Sequence, residues 1–315
     1  MPAISASAPG KIILFGEHAV VYGEPAIAVP VTQVQAKAII VPNPVGTSGE
    51  VKIVAPAISI DGTLNSLPVD HPIAKAIHLT LENVGISQPP AFNLKISSTI
   101  PIAAGLGSGA AITVVIIRAV SLFLGRPLSD EIVNELTFEV EKIYHGTPSG
   151  IDNTVVTYGM PVYFVRGRPI EAFTVKRPFS ILIGDTGISS PTAVAVGDVR
   201  KAWEAQTEKF NQLFKSCGEI ALQARRAIES GDVEVLGPLM DENQALLMEM
   251  GVSSPELESL IATAKDAGAL GAKLSGAGGG GNMIALADSA EADRIAGALE
   301  RAGATRTIIT QVGKS

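Results

Sequence analysis

The amino-acid sequence predicts an α+β fold of two closely packed domains. Short apolar or alternating runs, typical of strands, dominate the first third of the chain, whereas long helical patterns fill residues 192–267. The chain has 315 residues, 46% of them hydrophobic, and a length above about 250 residues favours two domains or one large one. A boundary near Arg177 and Pro178 gives an N-terminal domain of residues 1–178 and a C-terminal domain of residues 179–315.

The N-terminal half alternates predicted strands with three predicted helices. The strand patterns cover residues 12–15, 33–41, 51–54 and 92–97, and the alternation of Phe92, Leu94 and Ile96 marks a strand with one buried face. The helical patterns cover residues 71–84, 108–124 and 129–145. Ser129 is the expected N-cap of the third helix, and Gly146 lies just past its end.

The C-terminal half begins and ends with strands. Residues 154–158, 161–165 and 180–183 are predicted strands. Helices are expected from about Thr192 to Gly251 and from Pro255 to Ala267. The end of the chain alternates again, with strands near Ala272, at 283–287 and at 305–309, and a helix at 290–301.

Composition excludes several classes of protein. The formal net charge is −7 and no Lys/Arg-rich run is present, so we expect no nucleic-acid partner. A single cysteine, Cys217, permits no intrachain disulfide. The most apolar stretch, residues 110–124, is shorter than the roughly 20 residues needed to span a bilayer. No basic segment followed by a long apolar run opens the chain, so we expect a cytoplasmic protein without a membrane partner.

The first glycine-rich segment, PIAAGLGSGAA at residues 101–111, predicts an anion site. Gly105, Gly107 and Gly109 alternate, and an apolar helix follows at once. Unpaired amide N–H groups and the helix dipole at such a start favour phosphate, and a triphosphate is a natural occupant. The segment lacks the Gly-Lys-Ser/Thr ending of a P-loop. A strand-to-helix turn without a ligand is the alternative interpretation.

The second segment, EKIYHGTPSGID, places two carboxylates near one tight turn. Glu141 lies in the last turns of a predicted helix, and Asp152 ends the turn. One carboxylate can hold a divalent cation, and the other can accept or orient a hydroxyl proton. A helix-capping or turn-stabilising role for Asp152 remains an open alternative.

The third segment, KLSGAGGGG at residues 273–281, has five glycines in six positions. The near absence of side chains from Gly276 to Gly281 lets the backbone pack against a nucleotide or against another loop. Its match to GxGxxG is weak, because the segment follows the wrong strand for a dinucleotide-binding domain. Close packing of a strand and a loop is the alternative.

Taken in this order, the three segments and the N-terminal PGKIILFGEHAVVYG resemble the GHMP kinases over nearly the whole chain. Within that family, HGTPSGIDN at residues 145–153, GDTG at 184–187 and KLSGAGGGG are most similar to the members that phosphorylate mevalonate. The resemblance implies a two-domain fold with the active site in the interdomain cleft. It also implies transfer of a phosphoryl group from ATP to the 5-hydroxyl of (R)-mevalonate with Mg2+, and a homodimer is a further family-level expectation.

The resemblance also implies roles for individual residues. Asp152 matches the family's catalytic base, and Lys11 matches the lysine beside the reacting oxygen. Glu141 matches the magnesium ligand, with Ser108 as a second candidate. The ATP-phosphate loop comprises Pro101, Ile102, Ala103, Ala104, Gly105, Leu106, Gly107, Ser108, Gly109, Ala110 and Ala111. The residues expected to bind the acceptor alcohol are Glu17, His18, Thr186 and Gly278.

One position departs from the family pattern. The usual loop reads GLGSSAA, and its second serine contributes a hydroxyl to magnesium, whereas this chain has Gly109 there. We expect Glu141 and the ATP phosphates to hold the metal with an added water, because Mg2+ commonly keeps several waters.

Other acceptors within the family remain open, namely phosphomevalonate, homoserine or the 3-hydroxyl of mevalonate. A phosphomevalonate site is expected to carry extra Lys or Arg, and these motifs show none. A non-catalytic ligand sensor on the same fold is the alternative from a different class. Such a sensor is expected to have lost Lys11, Asp152 or the phosphate loop, and all three are present.

Overall fold

The computed structural model describes residues 3–101, 105–146, 148–169, 171–189 and 192–313. The chain forms two compact units, each built from several segments. Unit 1 comprises Met1–Gly10, Val34–Pro101 and Gly107–Gly159, and unit 2 comprises Lys11–Gln33, Ile102–Leu106 and Met160–Ser315. Unit 2 thus includes residues on both sides of the domain boundary predicted at 178. None of the described helices is both long and apolar enough to cross a bilayer.

The elements follow one another along the chain as the sequence patterns largely predict. Among the described residues, the strands are β1 Ile4–Phe15, β2 Ala26–Pro42, β3 Val51–Ala55, β4 Ile60–Thr63, β5 Phe92–Ser98, β6 Val162–Phe164, β7 Glu171–Ala172, β8 Phe179–Asp185, β9 Gly271–Ser275, β10 Asn282–Ala287 and β11 Arg306–Val312. The α-helices are α1 Pro72–Asn83, α2 Ser108–Phe123, α3 Asp130–His145, α4 Ile151–Tyr158, α5 Thr192–Ala205, α6 Thr207–Ser230, α7 Leu236–Glu249, α8 Pro255–Asp266 and α9 Ala292–Arg301.

Unit 1 packs helices against one sheet, in which the strand order is β4-β3-β5-β2. Strand β5 runs antiparallel to β2 and parallel to β3. Its alternating residues Phe92, Leu94 and Ile96 are buried as predicted. Helix α2 contacts α1, α3, α4 and β5, which explains why it is apolar on nearly every face. The beginning of α2 and all of α4 therefore rest on a rigid helical layer.

Unit 2 is organised around the antiparallel sheet β11-β8-β10-β9. In its central strand β10, Ile284 lies opposite Ile183 of β8 and Lys273 of β9. Helices α6, α7, α8 and α9 contribute most of the remaining core, in which Phe214, Leu257, Ile295 and Leu299 are buried with Cys217, Met283 and Leu247. In the same unit, the first residues of β2 pair with β6.

Strand β9 is an edge strand whose outer side is covered by α7. The Asp241 carboxylate accepts a hydrogen bond from the Ala272 amide at 3.1 Å, and the Gln244 side-chain oxygen accepts one from the Leu274 amide at 2.9 Å. Helix and strand approach so closely that a Cβ at Gly237 would collide with the carbonyl oxygen of Leu270. Helix α7 thus accepts hydrogen bonds from amide groups that an uncovered edge strand would expose. These backbone contacts hold β9 in place independently of the strand's own side chains.

One predicted element is wrong. Residues 154–158 were expected to form a strand because Thr154, Val155, Val156 and Thr157 are β-branched, but they belong to α4. All four side chains are buried, so packing against α2 and α3 outweighs intrinsic strand preference. A helix also satisfies the buried backbone internally. The predicted helices at 71–84, 108–124, 129–145 and 255–267 agree with the structure to within a few residues at their ends.

Candidate active site

The start of α2 in unit 1 has the backbone geometry of an anion site. Gly107 is the N-cap, with φ 72° in the left-handed region, and no side chain caps this helix end. The first turn therefore has amide N–H groups that a capping side chain would otherwise occupy. Ser108 and Gly109 in this turn are half-buried, whereas Ala110 and Ala111 are buried. Of the predicted phosphate loop, Ile102, Ala103 and Ala104 lie outside the described residues.

Lys11 is tied to the phosphate loop through its backbone. Its amide donates to the carbonyl oxygen of Leu106 at 3.0 Å, within unit 2. The Lys11 side chain is only 4% exposed. A lysine on the protein surface would be far more exposed, so this side chain is held inside the protein.

Glu141 lies in unit 1 on α3, a helix that contacts α2. Its carboxylate is 2% exposed. A carboxylate is buried this deeply only where other groups compensate its charge. Carboxylate and hydroxyl oxygens, such as those of Glu141 and Ser108, are the hard ligands that Mg2+ prefers. The chemistry of this donor set therefore fits the predicted metal.

Asp152 occupies the first turn of α4, and the N-cap of this helix is Gly150 with φ 95°. Its side chain is half-buried, so it is accessible to a small ligand. The neighbouring Asn153 side chain donates to the Asn134 side-chain oxygen on α3 at 2.7 Å. At the other end of α4, the Arg118 guanidinium donates to the Thr157 carbonyl at 2.6 Å. These contacts anchor the helix that carries the predicted base.

His18 lies at the centre of a strained turn in unit 2. Its φ of 59° and ψ of −49° fall in a region that non-glycine residues rarely adopt. The Ala19 amide donates to the Glu17 carbonyl at 2.6 Å, so residues 17–19 form a γ-turn with positive φ at its central residue. Strain of this kind persists only where the surroundings hold it, and such turns concentrate at functional sites.

The imidazole of His18 is buried and uncharged at neutral pH. Its Nε2 donates to the Ala277 carbonyl oxygen at 2.9 Å. Burial lowers the pKa of His18 to about 4, although the hydrogen bond to Ala277 opposes this. Because a carbonyl oxygen can only accept, the single ring proton sits on Nε2. The remaining nitrogen, Nδ1, then carries a lone pair and acts as a hydrogen-bond acceptor.

Glu17 is predicted to bind the acceptor, and the structure places its side chain against Lys273. The Lys273 ammonium donates to Glu17 Oε1, and both side chains are fully buried. Burial raises the pKa of Glu17, and the charge of Lys273 opposes this rise. Burial lowers the pKa of Lys273, and the charge of Glu17 opposes this fall. Sequence reasoning treated Lys273 only as the start of a glycine-rich segment. The sequence feature that could have identified Lys273 is its position as a lone charged residue between apolar residues of a predicted strand.

The third glycine-rich segment packs against two other loops of unit 2. A Cβ at Gly278 would collide with the carbonyl oxygen of Val252, and φ at Gly278 is 76°. The Thr186 hydroxyl donates to the Gly281 carbonyl oxygen at 2.9 Å. Together with the bond from His18 to Ala277, these contacts gather Thr186, His18 and residues 276–281 within unit 2.

A separate cavity of about 530 Å3 lies in unit 1. It is lined mainly by polar loop residues: Thr47, Ser48, Gly49, Glu50, Val51, Thr63, Leu64, Asn65 and Gln88. None of these residues belongs to the predicted phosphate, metal, catalytic or acceptor-binding sets.

Comparison with known proteins supports the resemblance on which these assignments rest. The profile of the GHMP kinase N-terminal domain matches residues 71–160, and that of the GHMP kinase C-terminal domain matches residues 224–305. Mevalonate kinases of Thermococcus sibiricus and Pyrococcus furiosus are each 37% identical over 334 residues, covering 99% of this chain and 96% of the relative. The crystal structure of L. major mevalonate kinase in complex with R-mevalonate matches with a TM-score of 0.83 and 33% identity. That match covers 99% of this chain and 96% of the other.

Proposed function

The chain belongs to the GHMP kinase family, and on this premise we propose that it phosphorylates (R)-mevalonate at the 5-hydroxyl with ATP. The products are 5-phosphomevalonate and ADP. The observation that carries this function is the 37% identity, over nearly the full length of both chains, to relatives that are mevalonate kinases. The similarity to a structure with R-mevalonate bound supports the same acceptor.

The start of α2 is the site we propose for the ATP phosphates. Its uncapped N–H groups and the positive end of the helix dipole favour the β- and γ-phosphates. Phosphoryl transfer asks little covalent chemistry of a protein, since alignment and charge neutralisation dominate. A fixed backbone nest is suited to alignment because it needs no reorganisation when the reaction occurs. This local device also explains how a chain of net charge −7 can bind an anion.

Glu141 and Ser108 are the protein groups we propose for holding Mg2+. When bound, the ion would neutralise negative charge on the transferred phosphoryl group. Gly109 supplies no side-chain oxygen, so water and the nucleotide are left to complete the coordination shell. The buried position of Glu141 leaves its carboxylate little room to move.

Lys11 and Asp152 are the residues we propose for the reacting hydroxyl. In the reaction, the bond from the γ-phosphorus to the ADP oxygen breaks, and a bond to the C5 oxygen of mevalonate forms. The hydroxyl proton leaves the oxygen, and Asp152 orients or accepts it. The Lys11 ammonium stabilises negative charge that develops on the phosphoryl group.

His18 is proposed to recognise a hydroxyl of mevalonate and not its carboxylate. A neutral imidazole whose Nε2–H is occupied by Ala277 offers only a lone pair at Nδ1. A lone pair accepts a hydrogen bond from a hydroxyl, but it repels a carboxylate oxygen. Thr186 and Gly278 complete the acceptor side in this proposal, through a loop that their own hydrogen bonds and packing hold rigid.

The proposal is tested by measuring ADP release with Mg-ATP and a panel of acceptors: (R)-mevalonate, phosphomevalonate, homoserine and galactose. We expect the highest kcat/KM with (R)-mevalonate. A higher value with another acceptor would reassign the substrate within the family. ATP binding without turnover on any acceptor would instead identify a ligand sensor and refute the kinase assignment.

A further inference from the structure

Two side chains of β9 reach from one face of the strand to the segment that carries His18. Lys273 donates to Glu17 Oε1, and to the Leu274 carbonyl oxygen at 2.6 Å. Two residues further on, the Ser275 hydroxyl donates to the Ile13 carbonyl oxygen at 2.8 Å and accepts from the Ile13 amide at 3.2 Å. Residues two apart in a strand point to the same side. The strand therefore holds residues 13–17 through side chains at two points.

Among the described residues, Lys273 is the one side chain that donates a hydrogen bond to the Glu17 carboxylate. The other carboxylate oxygen, Oε2, is buried and has no hydrogen-bond partner in this part of the chain. Lys273 is thus the side chain that positions the carboxylate, beside the backbone amide of Glu17 itself. Since Glu17 also supplies the carbonyl that closes the γ-turn, a shift of Glu17 moves the backbone on which His18 rests.

We propose that Lys273 is a positioning residue for the acceptor alcohol, acting through Glu17 to hold the strained turn at His18. This inference rests on the proposed function, in which His18 contacts mevalonate. Lys273 itself is fully buried and acts without touching the substrate. His18 is held from one side by Glu17 and from the other by the carbonyl of Ala277. Loss of Lys273 releases the first restraint.

The backbone of β9 makes the effect local. Its amides are bound to Asp241 and Gln244 on α7, and it pairs along its length with β10. Replacing the Lys273 side chain leaves these bonds intact. The structural change is therefore expected in the turn at residues 17–19 and not in the sheet.

The test compares Lys273→Met with the double variant Lys273→Met/Glu17→Gln. In the single variant we expect kcat/KM for mevalonate to fall by roughly a hundredfold, as for other misplacements of about 1 Å, while KM for ATP stays near the wild-type value. The single variant is also expected to unfold at lower denaturant concentration, because it leaves a buried carboxylate without its partner. The double variant removes both charges, so its stability should recover while its defect towards mevalonate persists.

A matched control is Arg177→Met/Glu234→Gln, which removes an exposed ion pair of unit 2 with a 2.6 Å separation. We expect wild-type kinetics from it. Recovery of wild-type kcat/KM in the Lys273/Glu17 double variant, or equal losses towards ATP and mevalonate, would overturn the inference. Failure of both Lys273 variants to fold would assign the pair a purely structural role, and would equally overturn it.

The same experiment separates this inference from the proposed function. If wild-type protein and the Arg177/Glu234 control both fail to phosphorylate mevalonate, the proposed function is wrong. If both are active and the Lys273 variants match them, the function stands and only the positioning role is wrong.

Discussion

His18 combines an unfavourable backbone conformation with an uncharged imidazole, and both follow from its neighbours. The γ-turn is closed by Glu17 and Ala19, and the ring is held by Ala277. Because the ring is held in this way, His18 presents a single ring nitrogen, Nδ1, in its unprotonated state. That is a property suited to recognising a hydroxyl group, and it gives His18 a measurable signature in the pH dependence of stability.

Acidification is expected to destabilise the protein through His18. Its pKa of about 4 in the folded protein lies below the ordinary value of about 6.5. Between these two values the unfolded chain binds the proton more readily, so the free energy of unfolding falls as the pH decreases from about 6.5 to about 4. The contribution is complete above pH 6.5. We expect wild-type protein to lose ~2 kcal/mol more than His18→Gln between pH 7 and pH 5.

Urea unfolding of both proteins at each pH measures this difference. The titratable neighbours Glu17 and Lys273 are present in both proteins, so their own titration largely cancels. Equal losses in wild type and variant would show that His18 is not buried as a neutral ring.

Asp152→Asn tests the role of the second carboxylate. The amide keeps the size of the side chain but is a far weaker proton acceptor, so we expect kcat to fall by about a thousandfold, within the usual range for general acid–base groups. ATP affinity should be nearly unchanged, because the proposed phosphate site lies at the start of α2. Asp61→Asn, at an exposed position of unit 1, is the control. Wild-type turnover in Asp152→Asn would remove this residue from the mechanism.

Gly109→Ser tests the departure from the family's loop. If a hydroxyl at this position can join the metal site, half-maximal activity should require several-fold less Mg2+ than in the wild type. Gly109→Ala adds the carbon without the oxygen and is the matched control. An unchanged Mg2+ requirement in the serine variant would count against the idea that a ligand is missing.

At the scale of elements, the sequence patterns predicted the strands and helices wherever one period dominated. The alternation in β5 and the predicted extent of helix α3 agree with the structure. The strand predicted at residues 154–158 was wrong. Their β-branched side chains favour a strand, but burial against α2 and α3 stabilises a helix instead. The ion pair between Glu17 and Lys273 could not be predicted either, because 256 residues separate the two and no local sequence pattern connects them.

Substitution by alanine is expected to change the free energy of unfolding in opposite directions at two glycines, one of which lies at the contact between α7 and β9. A Cβ at Gly237 would collide with the Leu270 backbone, whereas a Cβ at Gly197, inside α5, meets open space. We expect Gly237→Ala to lower the free energy of unfolding by about 2 kcal/mol, as overpacking does. Gly197→Ala should raise it by up to about 1 kcal/mol, because alanine favours the helix. Chemical denaturation of both variants checks the pair, and a stabilised Gly237→Ala would refute the close approach.

At the scale of the whole molecule, function was predictable because three glycine-rich segments and the PGK and GEH strings occur in a fixed order. Each segment alone allowed a structural interpretation, and Gly278 does serve packing. Their combination indicated a phosphate site, a metal-binding carboxylate and an acceptor-binding turn. The identity to mevalonate kinases extends over 99% of the chain, so the assignment rests on the entire sequence and not on one motif.

The position of the transferred phosphate tests the central claim most directly. Protein, Mg-ATP and (R)-mevalonate are incubated to completion, and the product is examined by proton-coupled 31P NMR. Transfer to the 5-hydroxyl places phosphorus next to a CH2 group, so we predict a triplet from similar coupling to the two protons of that group. An uncoupled signal would show phosphate on the tertiary 3-hydroxyl, and no ester signal at all would show that mevalonate is not the acceptor; either result would contradict the account.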